Sequence, residues 1–112
     1  MYKPSRHINS FYVAGFQYWD GALVLDKLKS GKKLKLVAEF DNPYDSNAVA
    51  LYYKKTKIGF VPRDMNWEIA SMLRFGHNDV FEARIQQVDP QAEPKRQVRV
   101  AILVTDATKS KK

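Results

Sequence analysis

Residues 33–40, KLKLVAEF, set Leu34, Leu36, Ala38 and Phe40 on one side of an extended chain and Lys33, Lys35, Val37 and Glu39 on the other. Alternation with a period of two is the pattern of a strand that rests one face on a core and turns the other to water. The same alternation returns in Gln97–Thr105, where Val98, Val100, Ile102 and Val104 recur. A helix would scatter both sets around its circumference. These stretches demand a sheet, and the other segments have to fit around it.

Phe11–Phe16, FYVAGF, is an aromatic and β-branched run suited to a strand, and His7–Ser10 extends it. Ala48–Tyr53 and Lys57–Val61 form a hairpin across the lysine-rich turn Lys54–Thr56, ending at Pro62, which has no N–H for a ladder. Val80–Val88 is a further strand, joined to Gln97–Thr105 by the loop DPQAEPKR. Between them the period changes twice. ALVLDKLK puts Val24, Leu25 and Leu28 on one helical face, with Asp20 placed to cap it and Gly31 to stop it. From Asp64, the residues Met65, Ile69, Met72 and Leu73 share a face, with Asp64 as the cap and Gly76 as the stop. About six short strands carrying two inserted α-helices predict a mainly β fold, a small OB-like β-barrel with helices at its rim. The 112 residues suit a single domain. Its expected extent is 7–106, with 1–6 as an N-terminal arm and 107–112 as a basic, flexible tail.

The chain has no cysteine and two histidines, His7 and His77, so disulfides and thiolate zinc sites are excluded. No apolar run approaches the roughly 20 residues that cross a bilayer, and the start MYKPSRHINS has no signal-peptide core. The expectation is a cytoplasmic protein without a membrane partner. A formal net charge of +7 gathers counterions that a polyanion can displace, which places nucleic acid first among partner classes. The lysines at 27, 29, 32, 33 and 35 read as a solvated face that adds to that attraction.

Three segments hold more chemistry than a barrel needs. In Gln17-Tyr18-Trp19-Asp20-Gly21 two adjacent aromatics leave a strand, and on an extended chain only one of them can point inward. An exposed ring beside basic residues stacks bases of single-stranded nucleic acid, at about 1–3 kcal/mol per base. Covering the barrel end is an equally good use for both rings. In NPYDSNA, residues 42–48, Asn42 and Pro43 start a turn, and Asp45 and Asn47 can each bond a nearby backbone N–H. Tyr44 is not required by that account. A carboxylate beside an aromatic wall repels phosphate and accepts a hydrogen bond from a sugar hydroxyl. In IGFVPR, residues 58–63, Arg63 can present a fork to phosphate where a strand gives way to a helix. It can equally be a plain surface arginine.

Asp41, Asp45 and Asn47 lack the rhythm, the central glycine and the closing glutamate of a calcium loop. Glu39, Asp41 and Asp45 have no spacing that marks a nuclease metal site with a positioned base. No metal, no cofactor and no catalytic residue is expected.

The order of these motifs resembles the HIRAN domain: VAGFQYWDG, then LKLVAEFDNPYDSNAVAL, then KIGFVPRDMNWEIASML, over about Phe11 to Gly76. The resemblance implies a non-enzymatic module, of the small bacterial kind and so cytoplasmic or nucleoid-associated, with an OB-like barrel that captures the 3′-hydroxyl end of single-stranded DNA in repair or processing. It implies that Tyr18 and Tyr44 stack the terminal bases, Asp45 accepts from the 3′-hydroxyl, Asn42 helps fix the sugar-phosphate end, and Arg63 contacts phosphate. The DNA-binding set is then Gln17, Tyr18, Trp19, Asn42, Tyr44, Asp45, Phe60 and Arg63. Gln17 stands where the family has an arginine, which turns a charge-assisted contact into a neutral one, a loss of about 1 kcal/mol. Trp19 replaces a tyrosine, and Phe60 stands where helicase members can carry a polar side chain. The alternative is an adaptor that docks a helicase or nuclease through a surface including Trp67 or Phe75.

Overall fold

The computed structural model describes residues 5–109. Six strands run β1 His7–Tyr12, β2 Lys33–Ala38, β3 Val49–Tyr53, β4 Thr56–Phe60, β5 Phe81–Val88 and β6 Val98–Val104. They form one sheet in the order β1-β6-β5-β2-β3-β4, every pair antiparallel. The mainly β, barrel-like expectation holds.

The sheet curls because β2 turns the corner. Its first two residues pair with β5, Lys33 with Arg84 and Leu34 with Ala83, and its last four, Lys35–Ala38, pair with β3. Irregularities in the β1–β6, β3–β4 and β5–β6 ladders add the local twist that closure needs. The two edges then meet at one bridge, where Ala14 and Phe60 exchange backbone hydrogen bonds of 2.9 Å in both directions. Gly59 makes that approach feasible. Its φ is 151°, and a Cβ there would lie 2.4 Å from Cγ1 of Val13 and 2.6 Å from the carbonyl oxygen of Ala14.

The core fills the curl with Phe11, Val13, Leu34, Leu51, Ile58, Ile85 and Val100, together with Phe16, Leu28 and Ile69 from outside the strands. The alternation in β2 behaves as its sequence requires, with Leu34 buried and Lys33 and Lys35 exposed. Phe40 departs from it. The strand ends at Ala38, and Phe40 lies exposed beyond it under the Arg74 guanidinium, 4.4 Å away.

Two helical segments fall where periodicity places them, but only one is α-helical. Asp20–Lys27 is a 3-10 helix of eight residues. Gly21 sits so close to Phe16 that a Cβ would be 2.2 Å from Cε1 of that ring, and the chain winds tightly over it. Leu28 is buried, and Val24 and Leu25 pack partly against the core, as their spacing demands. Asp20 does not cap the segment; Trp19 takes the cap position without a side-chain bond.

The second segment is a 3-10 turn, Arg63–Met65, followed by helix α1, Trp67–Arg74. Asp64 does not cap α1 either, because the intervening turn moves the cap position to Asn66. Ile69 and Ala70 are buried, Met65 and Leu73 are partly buried, and Met72 is exposed. At the other end the amide of Gly76 (φ 89°) donates to Leu73 and that of His77 to Met72, the paired bonds of a Schellman stop.

Residues 5, 6 and 107–109 are the described parts of the expected arm and tail. Arg6 is tied to the sheet, its Nε donating to the Val104 carbonyl at 2.9 Å and its Nη2 lying 3.0 Å from Glu82. Ala107–Lys109 forms a short 3-10 turn, and the rest of the expected tail, 110–112, falls outside the described residues, as do 1–4 of the arm. No helix among the described residues is long and apolar enough to cross a membrane.

Candidate nucleic-acid interface

The loop 41–48 is built by one side chain that folds back on its own backbone. Oδ1 of Asn42 accepts from the amides of Tyr44 at 2.9 Å and Asp45 at 3.2 Å, while its Nδ2 donates to Oε1 of Glu39 at 3.2 Å. Pro43 lies inside this turn and has no amide to satisfy. Both polar atoms of Asn42 thus take part in shaping the loop, with one Nδ2 hydrogen to spare. Asn47 contributes its main-chain N–H, bonded to Oδ1 of Asp45 at 2.9 Å, rather than its side chain as an acceptor.

Asp45 is held from two directions. Besides the Asn47 amide on Oδ1, its Oδ2 accepts from Nδ2 of Asn66 at 2.9 Å, with Nε of Arg63 at 3.6 Å. A carboxylate has roughly four lone-pair sites, so two close donors leave acceptor capacity. Arg63 reaches across the same loop, an Nη2 hydrogen donating to the Tyr44 carbonyl, while most of its guanidinium stays exposed. Tyr44 projects from the loop with 84% of its surface exposed.

A cavity of about 280 Å³ opens beneath the loop, lined by Ala14, Asn42, Tyr44, Asp45, Ala48, Phe60, Val61, Arg63 and Asn66. That is the lower end of the range for small-molecule sites. Its lining is mostly apolar, with Asn42, Asp45, Arg63 and Asn66 as the polar members beside Tyr44. Five of the expected site residues, Asn42, Tyr44, Asp45, Phe60 and Arg63, meet there.

The aromatic pair lies next to this cavity, not in it. Phe16–Tyr18 is a 3-10 turn instead of extended chain, so the strand rule does not apply and neither ring enters the core. Tyr18 is 78% exposed and Gln17 is exposed beside it. Trp19 meets Phe60 edge to face, centroids 5.9 Å apart, and so connects the turn to the cavity wall. Lys57 covers the Trp19 ring at 3.7 Å and approaches Phe60 at 4.4 Å, while its Nζ pairs with Oε2 of Glu39 at 2.5 Å. Glu39 in turn holds Asn42. A continuous line of contacts therefore runs from Trp19 through Lys57, Glu39 and Asn42 to Tyr44 and Asp45.

Lys57 and Asn66 belong to this site although no motif marks them, and Glu39 serves it in a role other than metal ligand. Glu39 is instead neutralised by Lys57. Among the described residues no group of three or more His, Asp or Glu side chains converges as a metal site would require. Trp67 and Phe75, the surface suggested for an adaptor, are both exposed.

The sequence model of the HIRAN domain matches residues 9–105. The chain belongs to the HIRAN domain family. HIRAN domains are nucleic-acid-binding modules. Two solved structures share the fold. A protein from Lactobacillus plantarum is 23% identical, with a TM-score of 0.73 over 88% of this chain and 93% of that one. The HIRAN domain of human HLTF is 14% identical, with a TM-score of 0.58 over 91% of this chain and 79% of that one. No curated protein sequence gives a significant match. The family match takes in the 3-10 turn with its aromatic pair, the 41–48 loop and the Arg63 turn.

Proposed function

We propose that this HIRAN domain binds single-stranded DNA at its 3′-hydroxyl end, serving DNA repair or processing as a binding module without chemistry of its own. The observation that carries the reading is the position of Asp45, a carboxylate on the rim of a small cavity, beside the exposed Tyr44 and the exposed Arg63. Tyr44 and Tyr18 stack the last bases, Asp45 accepts a hydrogen bond from the 3′-hydroxyl, and Arg63 contacts phosphate through donors it does not use internally. Asn42 acts by shaping the turn, its polar atoms being already engaged. Gln17 offers a neutral contact, Trp19 and Phe60 form the wall between the aromatic turn and the cavity, and the net charge supplies general attraction.

A terminal 3′-phosphate would bring about −1.5 to −2 charges to the Asp45 carboxylate. The domain should therefore bind a labelled oligonucleotide with a free 3′-hydroxyl more tightly than the same strand ending in phosphate. Fluorescence anisotropy at two salt concentrations separates this preference from general charge attraction, and equal affinities at both would remove the end reading.

A second reading, an adaptor face on α1, is favoured by the exposure of Trp67 and Phe75. Pull-down of a DNA-processing helicase or nuclease without nucleic acid, combined with no DNA affinity at low salt, would support it over the first.

A further inference from the structure

Asn66 is the most buried polar side chain among the described residues, at 2% exposure, and it stands at the cap position of α1. Asparagine there ordinarily accepts a hydrogen bond from an amide of the first turn. This one makes no such bond. Its Nδ2 instead reaches back 21 residues to Oδ2 of Asp45, at 2.9 Å, and the side chain forms part of the cavity lining. The forgone cap weakens the start of α1. The contact to Asp45 is what the residue makes in its place.

We infer that Asn66 is the positioning residue for hydroxyl recognition. It fixes the Asp45 carboxylate so that the oxygen lone pairs left over point into the cavity as acceptors. This assignment rests on the end-binding reading given above. The geometry argues it in two steps. An aspartate on a loop has free rotation about its side chain, and the Asn47 amide alone holds only one of its oxygens. The Asn66 amide holds the other, and it is itself immobilised by burial, so the carboxylate plane is set by two donors from separate elements. Arg63, the charged group facing the same oxygen, is 3.6 Å away on an exposed side chain and cannot replace that restraint. A neutral amide donor also adds no charge of its own, so the exposed Arg63 at 3.6 Å is the cation that faces the Asp45 carboxylate.

The test compares affinities for two oligonucleotides, identical except for a 3′-hydroxyl or a 3′-phosphate, in the unsubstituted protein, Asn66→Ala and Asn66→Leu. Loss of one hydrogen bond to a charged group should lower the hydroxyl-over-phosphate ratio about tenfold in Asn66→Ala. Asn66→Leu keeps the approximate volume, removes the donor without adding charge and should lose the preference as well. Binding of the phosphate strand serves as the control, since a merely structural role would weaken both strands alike and leave the ratio unchanged. A reading independent of variant folding comes from the Asn66 side-chain amide resonances of the unsubstituted protein. They should shift on adding the hydroxyl strand and move much less with the phosphate strand. Equal affinity of the unsubstituted protein for both strands overturns the end reading, and this assignment with it. A preference that survives both substitutions, or Asn66 resonances unmoved by the hydroxyl strand, overturns the assignment alone.

Discussion

The ammonium of Lys57 lies 3.7 Å over the ring of Trp19 while holding the Glu39 carboxylate at 2.5 Å. One face of Trp19 is thereby occupied by the protein's own cation, and the partly buried Glu39, just past β2, is matched by a lysine from β4. Lys57→Met keeps the stem but leaves Glu39 without its partner. The expected cost is about 1–3 kcal/mol, read from the urea midpoint, since hydrogen bonds to charged groups are worth that much. An unchanged midpoint would mean that the pair contributes nothing.

Tyr18 and Tyr44 separate binding from folding. Both rings are largely exposed, so replacing either by alanine should change stability by no more than about 0.5 kcal/mol. Each replacement should weaken single-stranded DNA binding by about 1–3 kcal/mol if the ring stacks a base. A large drop in thermal stability for either variant would assign that ring to packing.

Gly59→Ala strikes the point where the barrel meets itself. The added methyl would overlap Val13 and the backbone of Ala14 at a φ that side chains rarely adopt. A loss of about 2 kcal/mol or more is expected in denaturant unfolding, with DNA affinity falling because Phe60 and Ala14 also line the cavity. Gly76→Ala, with open space around it, should cost less than Gly59→Ala.

Glu82 supplies a dependence on pH. Burial alone would raise its carboxyl, but the hydrogen bond and charge of Arg84, aided by Arg6, override that and hold it below the ordinary 4.5. A folded-state value below the unfolded one contributes stability that is present above about pH 4.5 and disappears as pH falls through the lowered value. The stability gap between the unsubstituted protein and Glu82→Gln should therefore be constant near neutrality and close in acid. Urea midpoints from pH 7 to pH 3 measure it, and a gap that widens in acid would contradict the sign.

The strands were legible because burial on one face imposes a period that no other structure tolerates, as Leu34 and Lys35 illustrate. Phe40 was not, since a pattern cannot announce where pairing stops, and the Asn42 turn ends β2 two residues earlier than its apolar residues do. The caps failed for a related reason. Asp20 and Asp64 have the right chemistry, but the first segment starts one residue early, with Trp19 at its cap, and the Arg63–Met65 turn moves the start of α1 beyond Asp64. In the site, Tyr44 is the residue a plain turn does not need, Asn42, Asp45, Phe60 and Arg63 are named by the family resemblance, and all five line one cavity. Lys57 and Asn66 did not stand out, because an alternating lysine and an asparagine before a helix both have ordinary local explanations. Their roles come from partners 18 and 21 residues away.

The backbone of Phe60 fastens β4 to Ala14 on the far edge strand, and the side chain of the same residue walls the cavity. The molecule thus has its clasp and its seat in one place. An occupant of the seat braces the clasp, so amide exchange at Ala14 and Phe60 should slow when a strand end is bound, well before any change reaches the long β5–β6 ladder.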